Sequence, residues 1–230
     1  MTKEELKLQL ENFNLVDKLD LLEELQKGTL ATNELFNLTA IKDEDKFREL
    51  MILDSLYPLK LLDFNDKKII DVGTGAGYPG LPLAISSTGN FTLLDSTKKK
   101  IDHINEFSKR MGFFNVFGVN SRVEDYAKNH REEYDIAIAR AVSSLNILVE
   151  LIIPLLKVDG CFIAMKGSKG FEELEEAKDA LKKLDAEVVE IDEYELPESK
   201  EKRINIVIKK NKKTQNKYPR NYSEIMKKPL

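Results

Sequence analysis

The chain reads as an α/β protein: a doubly wound, mostly parallel seven-stranded sheet that ends in an antiparallel hairpin and is preceded by a helical extension. Three observations predict this. From residue 68 onward, short apolar runs alternate with amphipathic stretches of helical spacing, the pattern of a parallel sheet covered on both faces. The first run, Ile69-Ile70-Asp71-Val72, leads straight into Gly73-Thr74-Gly75-Ala76-Gly77-Tyr78-Pro79-Gly80, a glycine-rich turn out of a strand and into a helix. Before residue 65 the chain carries helix punctuation and no strand alternation.

In the extension, residues 1–64, Thr2 and Glu5 fit a capping box, and Leu6, Leu8, Leu10 and Phe13 supply an apolar stripe. Further helices are expected over 16–26, 32–38 and 43–56, the last stopped by Pro58. The sheet unit, residues 65–210, places strands at 68–72, 91–95, 116–120, 134–139 and 161–166. Helices fall between them at 82–86, 97–111, 123–129 and 144–156, and a charged helix follows at 170–184. Two last strands, 187–196 and 203–210, flank the turn 197–202 and form a hairpin. A dinucleotide domain normally continues in parallel, so five parallel strands closed by a hairpin predict the Rossmann-like fold of class I S-adenosylmethionine-dependent methyltransferases.

Composition narrows the class. With 42% hydrophobic and 33% charged residues over 230 positions, the chain can bury a substantial core. It has no apolar run near 18 residues and no basic-then-apolar start, so a soluble, cytoplasmic protein without a membrane contact is expected. The one cysteine, Cys161, lies in the run Cys161-Phe162-Ile163-Ala164-Met165 and reads as a strand residue, not a nucleophile. His103 and His130 lack metal-ligand partners at useful spacing, so they read as surface residues and no metal is expected.

The formal charge of −4 hides an asymmetry. From residue 209 to the end, Lys209, Lys210, Lys212, Lys213, Lys217, Arg220, Lys227 and Lys228 stand against Glu224 alone, so this segment carries +7 and the rest −11. A basic tail, residues 211–230, on an acidic body predicts a local polyanion contact. Tyr218, Pro219, Arg220 and Tyr222 within it add the flat groups that stack on unpaired bases.

The candidate site follows from the fold. Ligands of open α/β sheets lie beyond the carboxyl ends of the strands, near the point where strand order reverses. Gly75-x-Gly77-x-x-Gly80 fits a dinucleotide loop as well, but Asp71 suits a sulfonium cation with an amino group better than a pyrophosphate. Asp71, Gly73, Gly75, Gly77 and Tyr78 at the first strand end, and Asp95, Ser96 and Thr97 at the second, are therefore candidate S-adenosylmethionine contacts, with Asp95 on the ribose and the Tyr78 ring beside the ligand. After the third strand, the backbone N–H groups of Val123 and Glu124 face the adenine edge, although Ser121 to Glu124 also fits a capping box.

The fourth strand ends in Ala139-Arg140-Ala141-Val142-Ser143, without the Asn or Asp followed by prolines that amine methylation uses. An acceptor that is already nucleophilic remains, and guanine N7, with a free lone pair and no proton to remove, qualifies. Such a transfer needs alignment and no general base. No catalytic side chain is therefore expected, and Arg140 and Lys166 are the substrate-positioning candidates.

The glycine loop with Pro79-Gly80-Leu81-Pro82-Leu83 resembles the RsmG family, also called GidB (glucose-inhibited division protein B). So do Asn37-Leu38-Thr39-Ala40-Ile41, Leu53-Asp54-Ser55-Leu56, Ser121-Arg122-Val123-Glu124, Ala139-Arg140-Ala141, Met165-Lys166-Gly167, Tyr218-Pro219-Arg220 and Lys227-Lys228-Pro229-Leu230. The resemblance implies methylation of guanine N7 at position 527 in the 530 loop of 16S rRNA, with S-adenosylmethionine as donor and the small ribosomal subunit as partner. It implies cofactor contacts at Gly73, Tyr78, residues 95–97, Val123, Glu124 and Arg140. The chain departs from the family pattern at Met51-Ile52, at Ser223-Glu224-Ile225 and at Val123. A monomer is expected. An NAD(P)-dependent oxidoreductase and a non-catalytic rRNA-binding assembly factor with the same fold are the alternatives.

Overall fold

The computed structural model describes residues 1–230. Its helical layer comes first. Helix α1 (Lys3–Glu11) starts at the Thr2/Glu5 capping box, in which Thr2 Oγ1 accepts from Glu5 N and Glu5 Oε2 accepts from Thr2 N. Helix α2 (Leu19–Leu35) runs on through Gly28 and Thr32, so the separate helix expected over 32–38 does not form. Close packing decides this: a Cβ on Gly28 would lie 2.7 Å from Arg110 Nη2, so glycine here serves contact between helices and breaks nothing.

The segment expected as one helix over 43–56 is composite. It comprises α3 (Glu44–Phe47), a π-helical turn (Arg48–Leu53) and α4 (Asp54–Leu56), then a 3-10 turn, Tyr57–Lys60, holding Pro58. Arg48, nearly buried, forks onto Glu23 of α2 at 2.7 and 3.2 Å and pins the composite helix from one side.

Seven strands follow in the order β3-β2-β1-β4-β5-β7-β6. They are β1 (Lys68–Val72), β2 (Asn90–Asp95), β3 (Val116–Asn120), β4 (Tyr134–Arg140), β5 (Leu156–Lys166), β6 (Ala186–Glu195) and β7 (Lys202–Lys210). The first five run parallel, and β7 lies antiparallel between β5 and β6. The intervening helices are α5 (Gly80–Ile85), α6 (Lys98–Met111), α7 (Val123–Tyr126), α8 (Leu145–Ile152) and α9 (Gly170–Lys183), and α10 (Tyr222–Lys227) follows β7. Helix α7 is shorter than expected because Arg122, not Ser121, precedes it and no side chain caps it.

The strands are apolar on both faces because both are covered. Ile69, Phe91, Leu93, Ile138 and Ile163 face the layer of α1, α2, α5 and α6. Ile70, Val72, Leu94, Ala137 and Phe162 face α8 and α9. The helices of residues 1–64 thus share one core with the sheet, and they also clasp its far edge. Glu49 accepts from the N–H groups of Glu198 and Ser199 in the hairpin turn, and Tyr57 stacks on Tyr194 at 3.7 Å.

The last twenty residues depart most from expectation. They fold back over α8 instead of extending as a free basic tail, with Tyr218 and Ile225 buried in the second core layer. Strand order reverses between β1 and its neighbours β2 and β4, which sets the ligand crevice above the glycine loop.

Candidate active site

The loop from β1 to α5 is built by its glycines and by two carboxylates. Gly73, Gly75 and Gly77 all have positive φ, at 72°, 61° and 98°. Asp71, wholly buried beneath the loop, accepts through Oδ2 from Thr74 Oγ1 at 2.6 Å and from Gly80 N at 2.8 Å. Its Oδ1 has no partner. Burial pushes the Asp71 carboxyl up to about 6, against the pull of those two hydrogen bonds. Asp95, at the end of β2, accepts from Gly75 N at 3.0 Å and from Thr97 N at 2.8 Å, so it ties the loop to the next strand.

The glycines differ in what they permit. A Cβ on Gly75 would meet nothing within 4 Å and would stand in the open crevice. At Gly77 it would lie 2.3 Å from Leu81 Cδ1, and at Gly80 2.2 Å from Leu93 Cδ2. Gly75 therefore leaves room for a ligand, whereas Gly77 and Gly80 leave room for the helix.

Two cavities open above the loop. The larger, about 740 Å³, is lined by Gly73, Gly75, Tyr78, Arg140, Lys166 and residues of the helical layer. The smaller, about 340 Å³, is lined by Asp95, Ser96, Thr97, Val123, Glu124 and Tyr222 among others. Residues 141–143, which line both, separate them. Ala141 there has φ 54°, and Val142 leans on the loop so closely that a Cβ on Gly73 would lie 2.5 Å from its Cγ2.

The two strand-end cations are held in place. Arg140 Nη1 donates to Leu50 O at 3.1 Å, to Asp54 Oδ2 at 3.0 Å and to Ser55 Oγ at 3.3 Å. Asp54, nearly buried, also accepts from Tyr194 Oη at 2.9 Å and pairs with Arg203 at 3.4 Å. Lys166 donates to Ser143 O at 2.6 Å and pairs with Glu173 at 2.7 Å, which fastens the dividing loop from below. The larger cavity thus presents Lys100, Arg140, Lys166 and Arg203 against Asp54 and Glu173. Both carboxylates are paired, and no histidine lines it, so no free general base faces this space.

Several sequence expectations need correction. Asp71 and Gly77 line neither cavity; the first clamps the loop and the second seats α5. The Tyr78 ring does not lie open beside a ligand, because it is packed edge-on against Phe47 with its hydroxyl 3.0 Å from Thr29 Oγ1. His103 is buried, and its Nε2 has no partner; burial pushes it down to about 4 and keeps it neutral. Lys210 is fully buried, donating to Ile153 O, Leu156 O and Glu132 Oε1, so it cannot reach an RNA phosphate.

Arg220 is likewise spent on the buried Glu150. Lys209 and Lys212 pair with Asp159 and Asp185. Lys213, Lys217, Lys227 and Lys228 are exposed and form no ion pair.

Sequence reading also passed over Asp54 as a hub, Lys100, Arg203 and Tyr222. A signal existed for the last: Tyr218, Tyr222 and Ile225 recur at i, i+4 and i+7, the spacing of one helix face.

A parallel sheet with this order, a glycine loop at its switch point and a closing antiparallel hairpin define the class I methyltransferase fold. Solved structures agree on the fold. The M. jannaschii TYW2 protein in complex with AdoMet superposes with a TM-score of 0.53 at 15% identity, covering 65% of this chain and 71% of that one. An rRNA methylase from Streptococcus thermophilus gives 0.51 at 17%, covering 70% and 95%.

Sequence comparison goes further. The GidB family profile, described as rRNA small subunit methyltransferase G, matches residues 18–216. The Ribosomal RNA small subunit methyltransferase G of Fusobacterium nucleatum is 43% identical over 202 residues, covering 87% of each chain. That of Halalkalibacterium halodurans is 39% identical over 217 residues, covering 93% of this chain and 91% of its own. The chain belongs to the GidB family of small-subunit rRNA methyltransferases.

Proposed function

We propose that this protein transfers the methyl group of S-adenosylmethionine to N7 of guanine 527, in the 530 loop of 16S rRNA. The observation that carries the reading is the larger cavity: it joins the glycine cradle to four cations, has room for a purine nucleotide, and contains no free base. That composition suits an acceptor that needs no deprotonation and whose flanking phosphates are anionic. Family membership over most of the chain supports the same reading.

The residues present fit the donor. The space left at Gly75, the Asp71 Oδ1 without a partner beneath the loop, and the first-turn N–H groups of α7 provide room, negative charge and donors for a nucleoside sulfonium. When bound, the donor supplies an electrophilic methyl on a positively charged sulfur. Asp95 would hold its ribose, and Val123 and Glu124 the base edge. Asp71 acts through the loop, fixing the Gly75 backbone where the donor is approached.

Arg140 and Lys166 position rather than react. Arg140, braced by Asp54, presents a guanidinium at the cavity wall, and Lys166 sets the height of the dividing loop. The exposed Lys213, Lys217, Lys227 and Lys228 supply phosphate contact, in place of the whole basic tail.

The site is complete within one chain, which supports action as a monomer on the small subunit in the cytoplasm. No helix is long and apolar enough to cross a membrane, and no group of three or more His, Cys, Asp or Glu could hold a metal ion. Mapping methylated guanines after reaction with subunits lacking the modification tests donor, base and position together. Modification of a single guanine N7 in the 530 loop is expected, and its absence with intact donor binding would sink the acceptor assignment.

A further inference from the structure

The C-terminal segment is pinned far more firmly than a phosphate-binding tail requires. Arg131 donates to the carbonyls of Thr214 and Gln215 at 2.9 and 3.3 Å and to that of Tyr218. Glu132 Oε1 accepts from Thr214 N at 3.2 Å as well as from Lys210. Glu150, wholly buried on α8, accepts from Arg220 N at 3.0 Å and from its Nε at 2.8 Å. Ile225 is fully buried against the same core layer. Burying a carboxylate is costly unless its partner is held in register, so Glu150 and Arg220 fix the position of this segment closely.

What that fixing delivers is Tyr222. Directly after Arg220, the chain enters α10 with Tyr222 at its first position. The half-buried ring lies against the core layer that includes Val123 and forms one wall of the smaller cavity, opposite Asp95 and Thr97. The Arg122 guanidinium lies 5.7 Å from the ring centroid. Tyr222 is the only aromatic side chain lining this cavity. The ring expected to flank the donor, Tyr78, is turned away into the helical layer. A cavity with a carboxylate for a ribose and open N–H groups for a base edge otherwise lacks a flat surface for the base.

We propose that the C-terminal segment is part of the donor site: docked by Arg220 on Glu150, it supplies Tyr222 as the aromatic wall for the adenine of S-adenosylmethionine. This rests on the methyl-donor reading above and changes the task of the segment, from gripping RNA to completing the nucleoside pocket. The linkage is reciprocal. A donor that touches Tyr222 must hold the segment down as tightly as the segment holds the donor.

The test titrates S-adenosylmethionine calorimetrically into the full-length protein and into Tyr222→Ala and Tyr222→Phe. Alanine removes the stacking of ring on base and weakens donor Kd about tenfold, whereas phenylalanine stays within about twofold of wild type. Because Tyr222 is half-exposed, the donor-free melting temperature of Tyr222→Ala should fall by no more than about 4 °C. Binding of a 530-loop RNA fragment without donor should be unchanged.

Trypsin provides a readout independent of affinity. Donor should slow cutting after Lys213 and Lys217 in wild type and give no such protection in Tyr222→Ala. Wild-type donor affinity in Tyr222→Ala, or cutting indifferent to donor in wild type, would overturn the proposal while leaving the methyl-donor reading intact. A wild-type protein that takes up no S-adenosylmethionine at all would instead remove both.

Discussion

Gly75→Ala should separate the ligand cradle from the scaffold around it. At this position φ is 61°, so an alanine meets the left-handed penalty, about 1 to 2 kcal/mol, partly offset by about 0.4 to 1 kcal/mol from a stiffer unfolded chain. Nothing lies within 4 Å of the new Cβ, so no clash adds to that cost. A net loss of about 1 kcal/mol lowers the melting temperature of a chain this size by about 2 to 4 °C. The methyl group stands in the space where the backbone must approach the donor, and donor Kd should weaken by at least about a hundredfold, or about 2.7 kcal/mol.

Gly80→Ala is the control. Its Cβ would meet Leu93 Cδ2 at 2.2 Å and Asp71 Oδ2 at 2.8 Å, and the damage there should appear as unfolding. Thermal melts with and without S-adenosylmethionine read both quantities at once. A Gly75→Ala protein that melts as predicted yet keeps the full donor-induced shift would refute the assignment of this loop to the donor.

Three further outcomes follow from the same geometry. Between pH 3.8 and about 6 the folded chain keeps a proton on Asp71 that the unfolded chain has released, so raising pH across this window costs up to about 3 kcal/mol. In urea melts Asp71→Asn should lack that component, and identical pH profiles for mutant and wild type would show the carboxylate to be ordinary. His103 has the opposite slope: the unfolded chain binds a proton below pH 6.5 that the folded one refuses until about 4, so stability falls as pH drops through that range, and His103→Phe should flatten it. Arg220→Met, which leaves Glu150 buried without its partner, should cost about 3 to 5 kcal/mol by urea denaturation, far more than an exposed arginine would.

What was legible in the sequence had a local cause. The glycine loop, the strand runs and the hairpin each carry their own signal, because positive φ, two-sided burial and tight turns select residue types on the spot. What was not legible depended on partners distant in the chain. Gly28 looks like a break until Arg110 and Phe107 lie against it, and Tyr78 looks like a ligand contact until Thr29 takes its hydroxyl.

The basic tail misled for the same reason. Counting charges could not reveal that Glu132, Glu150, Asp159 and Asp185 were waiting for them. Asp54 sits in a recognisable Leu-Asp-Ser-Leu run, yet its role needs Arg140, Tyr194 and Arg203, which come from three separate strands.

The π turn between Arg48 and Leu53 has a consequence for how this site tolerates change in length. Such a turn is an α-helix with one residue too many. On either side of it stand two fixed engagements, Arg48 with Glu23 and Asp54 with Arg140. Removing one residue from the turn would let the helix relax to ordinary winding, but would rotate one end against the other by about 100°. The helix would gain regularity and could keep only one of the two engagements. The irregular residue works as a phase adjuster, and a homologue lacking it would have to draw its arginine brace from another helix face.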